Sequence, residues 1–201
     1  MHSPELSDHC LLRGKRGLML VPVQPRHVQK LFALLEESRS SLESWLPWVS
    51  HIRKEQDLSQ LIRYYRQKNR DTGAVTFCIF SDSLLTGVIG INQINVENHS
   101  ASLGYWLGEP FRGRGIIRES CSLVITYLFT VRNLNKVIIR CADHNRKSRN
   151  VAESLGFRRE AMLRAGEWVH GSFVDLWSYG LLSREWSEDQ QANAASFAAD
   201  L

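Results

Sequence analysis

The chain has 201 residues, 43% of them hydrophobic, and a formal net charge of +4. This length allows one substantial hydrophobic core but is short for two, so we predict a single domain. The small positive charge favours anionic ligands, and it falls short of the charge density of a dedicated nucleic-acid-binding protein.

The four cysteines are widely separated and form no pair at metal-ligand spacing; they are Cys10, Cys78, Cys121 and Cys141. This pattern predicts reduced thiols rather than a disulfide framework, and it predicts no metal site. The N-terminal stretch lacks the apolar segment of a signal peptide, and the longest apolar run, around "LVITYLF", is far below the ~20 residues that span a bilayer. We therefore expect a soluble cytoplasmic protein without membrane contact.

The first half of the chain predicts one strand, two helices and three further strands. Leu18–Val23 is a β-rich run stopped by Pro25, and the segment "RHVQKLFALLEES" after it has apolar residues at helical spacing. A second, polar helix is predicted over Gln56–Arg70. Three short strands then follow, separated by turn residues as in an antiparallel meander. They are predicted at Ala74–Phe80, Leu85–Asn95 and Ser100–Gly108.

The second half predicts a helix over Gly115–Arg132, a central strand over Lys136–Ala142 and a helix over Asn145–Ser154 that Gly156 ends. The strands "FRREAMLR" and "SFVDLWSYGLL" are expected to pair around a loop at Ala165–Gly171. This order predicts an α+β domain around a mixed sheet. The predicted organisation is an N-terminal segment at 1–17, the domain at 18–186 and a polar tail without tertiary role at 187–201.

The junction between the third meander strand and the next helix reads Arg112-Gly113-Arg114-Gly115. Glycines lack a Cβ, so the backbone can turn tightly and direct its N–H groups to one point. The helix that follows adds unpaired N–H groups and the positive end of its dipole, which predicts an anion site suited to a pyrophosphate. A dinucleotide-binding fingerprint would need a glycine where Arg118 stands, and a P-loop would need an absent Gly-Lys-Ser/Thr.

Four segments, in their order along the chain, resemble the GNAT acetyltransferase superfamily and its branch of Rim-type ribosomal-protein N-acetyltransferases. They are "WLPW" near residue 46, "GYWLGEPFRGRGII", "NRKSRNVAESLGF" and "DLWSYGLLSREW". The phosphate-binding motif of the superfamily is Gln/Arg-x-x-Gly-x-Gly/Ala, and Arg112, Gly115 and Ile117 occupy its three defined positions. Ile117 departs from the usual small residue. The resemblance extends from Leu18 to Trp186.

The resemblance implies a GNAT-like fold, in which helices flank a central, twisted, mixed and mostly antiparallel sheet, and it implies that homodimers are common. It further implies an acetyl-CoA-dependent N-acetyltransferase in which a primary amine attacks the thioester directly, without a covalent enzyme intermediate. The cofactor-binding residues that it implies are the backbone of Tyr105, Trp106 and Leu107 beside the pantetheine arm and the turn residues Arg112, Gly113, Arg114, Gly115, Ile116 and Ile117.

The catalytic residues that the resemblance implies are Ser148 and Glu167. Asn145 and Ser148 match the family's Asn-x-x-Ser, in which the asparagine binds the cofactor's amide and the hydroxyl protonates the leaving thiolate. On the residues alone, Asn145 is better explained as a helix N-cap. Glu167 matches an acidic residue proposed as the base, and desolvation beside Trp168 would raise its pKa; a solvated loop glutamate is the alternative. The reserve candidates are Glu160, His144 and His170.

Trp45 and Trp48, in "SLESWLPWV", fall in the family's acceptor cleft, although packing beneath the helices explains them equally well. The expected acceptor is a primary amine, and the branch points to the N-terminal Ser or Ala of a ribosomal protein. Two alternatives stay open. The first is acetylation of a polyamine, an amino acid or an aminoglycoside, and the second is a catalytically silent acyl-CoA-binding module.

Overall fold

The computed structural model describes residues 11–186. The expectations for residues 1–10, including Cys10, and for the tail at 187–201 lie outside the described residues. The strands are β1 (Leu12–Arg13), β2 (Met19–Pro22), β3 (Thr76–Ser81), β4 (Leu84–Asn95), β5 (Ser100–Leu107), β6 (Lys136–Ala142), β7 (Arg158–Val169) and β8 (Ser172–Leu182). The α-helices are α1 (Val28–Glu37), α2 (Arg39–Glu43), α3 (Glu55–Thr72), α4 (Ile116–Thr130) and α5 (Arg146–Ser154).

The strands form one sheet in the order β1-β2-β3-β4-β5-β6-β8-β7. β5 and β6 run parallel, and the other neighbouring pairs are antiparallel. A parallel pair needs a long crossover connection, and α4 provides it between these two strands. The predicted α+β domain around a mixed, mostly antiparallel sheet flanked by helices is therefore confirmed.

Different helices cover the two faces of the sheet. On one face, α4 is buried over most of its length and packs in a core that includes the fully buried Phe77 and Tyr179. On the other face, α1 directs Leu31, Leu34 and Leu35 into a second core, at the i, i+3, i+4 spacing of one helical stripe. Each such leucine contributes about 1.5–3 kcal/mol by burial. The two cores hold the sheet between helices and fix the ends of its strands.

β5 and β6 pair over only part of their length. Ser100–Leu103 pairs with Lys136–Ile139, and beyond these residues the two strands continue without pairing to each other. Each strand keeps its outer partner, because Gly104–Leu107 still pairs with β4 and Arg140–Ala142 still pairs with β8. The strand ends therefore separate. We call the opening between Gly104–Leu107 and Arg140–Ala142 the wedge.

The loop predicted at Ala165–Gly171 is wrong, since β7 continues to Val169 and turns into β8 at His170 and Gly171. The strand can include Gly166 because β7 bulges there: three residues, 164–166, stand opposite the single residue 175 of β8. The φ angles of His170 and Gly171, 46° and 80°, are the left-handed values of a two-residue hairpin turn. Glu167 consequently lies on a strand and not in a loop.

The other predicted elements are present with shifts of a few residues. The predicted helices correspond to α1, α3, α4 and α5, and β6 occupies the residues predicted for the central strand, between β5 and β8. Gly156 follows α5 with a φ of 86°, as expected for a residue that ends a helix. The short elements β1 and α2 were not predicted, because they are too short to show a periodic pattern.

Candidate active site

The turn before α4 has the conformation that its two glycines allow. Gly113 and Gly115 both have a φ of 77°, in the left-handed region that favours glycine. A Cβ added to either glycine would meet nothing within 4 Å, so the turn is open on that side. Gly115 is the N-cap of α4, and the unpaired N–H groups of the first helical turn lie next to this open space. This arrangement of backbone donors, reinforced by the helix dipole, makes the turn a candidate anion site.

The two arginines of the turn make different contacts. Arg112 donates hydrogen bonds from Nε and Nη2 to the carbonyl oxygen of Leu107, each at 3.3 Å. Its side chain therefore ties the turn to the end of β5. The Arg114 guanidinium lies 5.8 Å from the centre of the Phe111 ring, within cation–π range. Since Arg114 is exposed, it can also reach a phosphate at the turn.

A cleft of about 220 Å³ adjoins the turn, between the turn, the β1–β2 connection and the β3–β4 turn. Charged residues of both signs line it, among them Arg16, Asp82 and Glu119. Glu119 accepts a hydrogen bond from the backbone N–H of Lys15 at 2.6 Å, which fastens the β1–β2 connection to α4. Three basic residues and two carboxylates line this cleft, so its charge does not single it out, and the backbone donors at the open face of the turn mark the candidate anion site.

Asn145 and Ser148 lie where α5 begins, a few residues beyond the end of β6. The Asn145 side-chain oxygen accepts a hydrogen bond from the backbone N–H of Ser148 at 3.1 Å, which is an N-cap contact. The Ser148 hydroxyl lies 3.0 Å from the hydroxyl of Tyr105. Tyr105 belongs to the part of β5 that no longer pairs with β6. The two hydroxyls therefore join the two sides of the wedge.

The surroundings of Tyr105 keep its hydroxyl protonated. Burial raises the pKa of Tyr105 far above its usual value, and the nearby Cys121 thiol adds to the effect, while the hydrogen bond with Ser148 lowers the pKa in part. Burial also raises the pKa of the Cys141 thiol, against a hydrogen bond with Ser148 that lowers it. Ser148 thus lies between two neutral groups. Tyr105 is therefore protonated in this site, where its hydroxyl can donate a hydrogen bond and does not act as a base.

Asp143 fixes the segment that leads into α5. Trp177, on β8, donates a hydrogen bond from Nε1 to Oδ1 of Asp143 at 2.6 Å. Arg149, in the first turn of α5, donates from Nη1 to the Asp143 carbonyl oxygen at 2.8 Å and lies 3.4 Å from its carboxylate. These contacts bind the start of the helix that carries Ser148 to the sheet.

Asp175, on β8, links this segment to the bulge of β7. Its carbonyl oxygen accepts a hydrogen bond from the backbone N–H of Asp143 at 3.0 Å. Its carboxylate accepts a hydrogen bond from the backbone N–H of Ala165, within the bulge, at 2.8 Å. The bulge that precedes Glu167 and the helix start that places Ser148 are therefore anchored to one residue of β8.

Glu167 lies on β7 directly after the bulge, on an exposed stretch of the strand. Partial desolvation of its carboxyl still raises its pKa above the usual value, which is the predicted direction. Trp168 is not the aromatic cover that the sequence suggested, because neighbouring strand residues point to opposite faces. Its ring instead packs edge-on against Phe173, with ring centres 4.7 Å apart.

The two tryptophans predicted for the acceptor cleft border different spaces. The Trp45 ring centre lies 5.4 Å from that of His144, in the segment between β6 and α5. His170, in the β7–β8 turn, reaches the same region, with Nε2 2.7 Å from the carbonyl oxygen of Glu43. Trp48 lines a separate cavity of about 130 Å³ between the sheet and helices α1 and α3.

The structure brings Tyr105, Asn145 and Ser148 together. Glu160, an alternative candidate for the base, instead forms an ion pair with Lys136 at 2.7 Å. Sequence reasoning assigned Tyr105 only a backbone role and missed its hydroxyl. It also missed the two anchoring aspartates, Asp143 and Asp175. An acidic residue inside the alternating strand "SFVDLWSY" was the available signal for the second of them.

Among residues 11–186, no group of three or more His, Cys, Asp or Glu side chains is arranged to hold a metal ion. The same part of the chain contains no helix with the length and apolar character needed to cross a membrane. Cys78, Cys121 and Cys141 are buried and form no disulfide, as predicted for reduced thiols.

Comparison with known proteins gives concordant matches. The family described as "Acetyltransferase (GNAT) domain" matches residues 17–158. YdaF of Bacillus subtilis (strain 168), provisionally named as a ribosomal N-acetyltransferase, is 32% identical over 169 residues, which cover 84% of this chain and 92% of that protein. The ribosomal-protein-serine acetyltransferase of Escherichia coli (strain K12) is 29% identical over 165 residues, which cover 82% of this chain and 92% of that protein.

A solved structure has the same fold. It is RimL, a ribosomal L7/L12 alpha-N-protein acetyltransferase, in complex with coenzyme A. It superimposes with a TM-score of 0.83 at 24% identity and covers 86% of this chain and 97% of its own. At this identity the similarity establishes the fold and not the acceptor.

Asn145→Ala is expected to lower the free energy of unfolding by about 1 kcal/mol, within a range of roughly 0.5–2, because it removes the N-cap acceptor. Asn145→Asp keeps an oxygen acceptor, and a negative charge at a helix N-terminus is favourable, so its loss should be much smaller. Urea unfolding followed by circular dichroism measures both. Equal losses would mean that the contact with the Ser148 N–H does not stabilise α5.

Proposed function

Because the chain belongs to the GNAT acetyltransferase family, we propose that it acetylates the α-amino group of a ribosomal protein whose first residue is Ser or Ala. The family sets the reaction class: the protein is an N-acetyltransferase that uses acetyl-CoA. The acceptor is inferred from relatives that match 84% and 82% of the chain and are named for ribosomal-protein acetylation.

The wedge is the structural observation that supports the use of acetyl-CoA in this proposal. At one end, β5 leads into the glycine turn and the N-terminus of α4, where backbone N–H groups form an anion site. Across the wedge, Ser148 contacts the hydroxyl of Tyr105. We place the pyrophosphate of acetyl-CoA at Gly113–Gly115 and its thioester beside Tyr105–Leu107. An extended ligand can then form hydrogen bonds with the backbone groups of β5 that have no partner on β6.

On the donor side, the reaction needs support for an oxyanion and for a thiolate. Every second N–H along Gly104–Leu107 points toward the wedge, and such a fixed donor can stabilise the thioester oxygen as it becomes an oxyanion. As the C–S bond breaks, its electron pair goes to sulfur and Ser148 passes its proton to that sulfur. Solvent then returns a proton to the Ser148 oxygen, which balances the proton that the amine releases. Tyr105 stays protonated, so it can support this step by donating a hydrogen bond to the Ser148 hydroxyl oxygen 3.0 Å away.

On the acceptor side, the amine must lose a proton before its nitrogen can form the new C–N bond. Glu167 is our proposed base, because desolvation raises its pKa toward the range in which a carboxylate accepts protons efficiently. An α-amino group has a pKa of about 7.7–8.0, so the base needs to remove only one mildly acidic proton. Trp45, beside His144, forms part of the proposed entrance for the acceptor chain.

We also propose that the enzyme acts in the cytoplasm, on the protein acceptor alone and without contact to nucleic acid. The unbonded cysteines of the described part of the chain agree with a reducing compartment. The net charge of +4 is small for a nucleic-acid-binding surface.

The acceptor assignment is tested with a panel of peptides and small amines, using release of the coenzyme A thiol as the rate and mass spectrometry for the site. We expect acetylation of peptides that begin with Ser or Ala, at the α-amino group, and no reaction when that group is blocked. Faster turnover of a polyamine or an aminoglycoside would refute the protein acceptor. Tight acetyl-CoA binding without turnover of any amine would indicate a silent binding module.

Gly115→Glu is expected to weaken acetyl-CoA binding tenfold or more, equal to about 1.4 kcal/mol, because a carboxylate would occupy the open side of the anion site. Gly156→Glu is the matched control: this glycine also has a left-handed φ, 86°, and open space at its Cβ, but it follows α5. Isothermal titration calorimetry measures both affinities. The same loss in both variants would show that backbone strain, and not the anion site, is responsible.

Glu167→Gln is expected to lower kcat about 10²–10⁴-fold at neutral pH, because the base is lost. The difference from the unmodified enzyme should shrink as the pH rises past 8, since more of the acceptor amine is then already deprotonated. In the unmodified enzyme, activity should fall as the pH drops through the raised pKa of Glu167, where the carboxylate becomes protonated.

Glu160→Gln is the control for that change, because Glu160 lies on the same strand but its carboxylate is paired with Lys136. Rates measured from pH 6 to 9 for the three proteins decide the role of Glu167. A ratio between Glu167→Gln and the unmodified enzyme that stays constant over this range would exclude it as the base.

A further inference from the structure

We propose that the cavity of about 130 Å³ beside Trp48 is the pocket for the first side chain of the acceptor, and that it selects small, uncharged residues. This inference rests on the proposed function, because it presumes an acceptor whose α-amino group reaches the wedge. It adds the residues of this enzyme that would distinguish acceptors by the first residue of their chain.

Two glycines form the floor of this pocket. Gly90 of β4 and Gly104 of β5 stand directly opposite each other in the antiparallel register, and both line the cavity. Opposed residues on one face of an antiparallel pair normally fill the space between them with their side chains. Here both side chains are absent, and the Asn92 carboxamide takes up only part of the space, so the sheet surface keeps a depression at this point. It can hold a group that comes from outside the sheet.

Asn92 forms one rim of the depression. The register of β4 against β5 shifts between Ile91 and Gln93, which leaves Asn92 as the extra residue of a bulge. Its carboxamide lies over both glycines: a Cβ on Gly104 would stand 2.5 Å from Nδ2, and a Cβ on Gly90 would stand 3.5 Å from Oδ1. A bulge that redirects a single polar side chain over a bare part of the sheet is an arrangement suited to ligand recognition.

The position of the pocket fits the proposed reaction. Gly104 and Trp106, which line it, belong to the part of β5 that borders the wedge. Trp48, on the opposite wall, lies in the segment between α2 and α3. A group in this pocket is therefore next to the backbone where we place the thioester. The first side chain of an acceptor must lie close to that point, because it is attached to the carbon that bears the reacting amine.

Size and charge define what the pocket accepts. Its volume is well below the roughly 300–1,000 Å³ of sites that enclose whole small molecules, so it suits a short side chain rather than a complete aminoglycoside. None of its fifteen lining residues carries a charge. A second ammonium group, as in a polyamine or in an N-terminal lysine, would lose its hydration here without a carboxylate to compensate.

The polar groups of the pocket suit a hydroxyl. Asn92 offers both a donor and an acceptor, and the hydroxyl of Thr76 also borders the cavity. Tyr65 adds a phenol that stays neutral, because burial raises its pKa. The remaining wall is aliphatic and aromatic, which suits the methyl group of alanine equally well. The pocket therefore fits both Ser and Ala. A charged side chain would be desolvated there, and a larger one would have to displace the Asn92 carboxamide from above the two glycines.

The test compares kcat/KM for peptides that differ only in their first residue, which is Gly, Ala, Ser, Leu or Lys. For the unmodified enzyme we expect Ser and Ala to exceed Leu and Lys by at least tenfold. Gly90→Ala places a methyl group on the floor of the pocket, 3.3 Å from Oγ1 of Thr76, so it should fit with a small shift. The ratio of Ser to Gly peptides should then fall about tenfold or more, the effect of one methyl-sized group in an apolar pocket.

Asn92→Ala should lower the ratio of Ser to Ala peptides, because the hydroxyl loses its partner. The matched control is Gln93→Ala, which removes a carboxamide from the next residue, outside the pocket lining. It should leave all ratios as they are. Two results would overturn the proposal. One is that Gln93→Ala changes the kcat/KM ratios as much as Asn92→Ala does, and the other is that neither Gly90→Ala nor Asn92→Ala changes them.

The outcomes separate the pocket from the proposed function. If peptides are acetylated but the pocket variants keep the unmodified preferences, the pocket inference fails and the proposed function stands. If no peptide is acetylated, the proposed function fails and the pocket inference fails with it. Circular dichroism and acetyl-CoA titration of each variant show whether a lost rate reflects altered selection or a misfolded protein.

Discussion

β5 and β6 run parallel for four residue pairs and then separate, and the remaining parts of the site depend on this separation. Parallel neighbours need a crossover, which here is α4. The crossover must begin at the end of β5, and this is also the end at which the wedge opens. The N-terminus of α4, with its unpaired donors, is therefore beside the wedge because of the topology itself. The proposed phosphate site and the proposed thioester site are thus two consequences of one strand arrangement.

The separated strand ends are stable because each keeps a partner on its outer side. β4 holds Gly104–Leu107, β8 holds Arg140–Ala142, and the hydroxyls of Tyr105 and Ser148 meet across the gap. The backbone groups that face the wedge still need hydrogen-bond partners. A ligand with amide groups can supply them in place of the missing strand pairs. The wedge is thus a strand-shaped opening lined by backbone groups that the fold leaves without strand partners.

The sequence predicted the parts of this arrangement that depend on local patterns. The glycines of the turn, the β-branched run of β6 and the helical stripe of α4 lie within short windows, and each was identified correctly. The bulge of β7 was missed because Ala165 and Gly166 resemble loop residues when their partner strand is unknown. The hydroxyl of Tyr105 was missed for a related reason: its contact with Ser148 joins residues that are distant in the sequence.

The donor and acceptor halves of the site differ in how they are built, and this explains why one half was easier to infer than the other. The proposed donor half uses backbone N–H groups, which require glycines at fixed spacing and therefore leave a motif. The proposed acceptor half uses side chains from several elements: Asn92 from β4, Trp48 from the segment before α3 and Glu167 from β7. Its central feature, the opposition of Gly90 and Gly104, exists only through the register of two strands. Two isolated glycines in a sequence carry no such information. Acceptor choice can accordingly change by substitution at a few such positions while the donor motif and the fold stay the same.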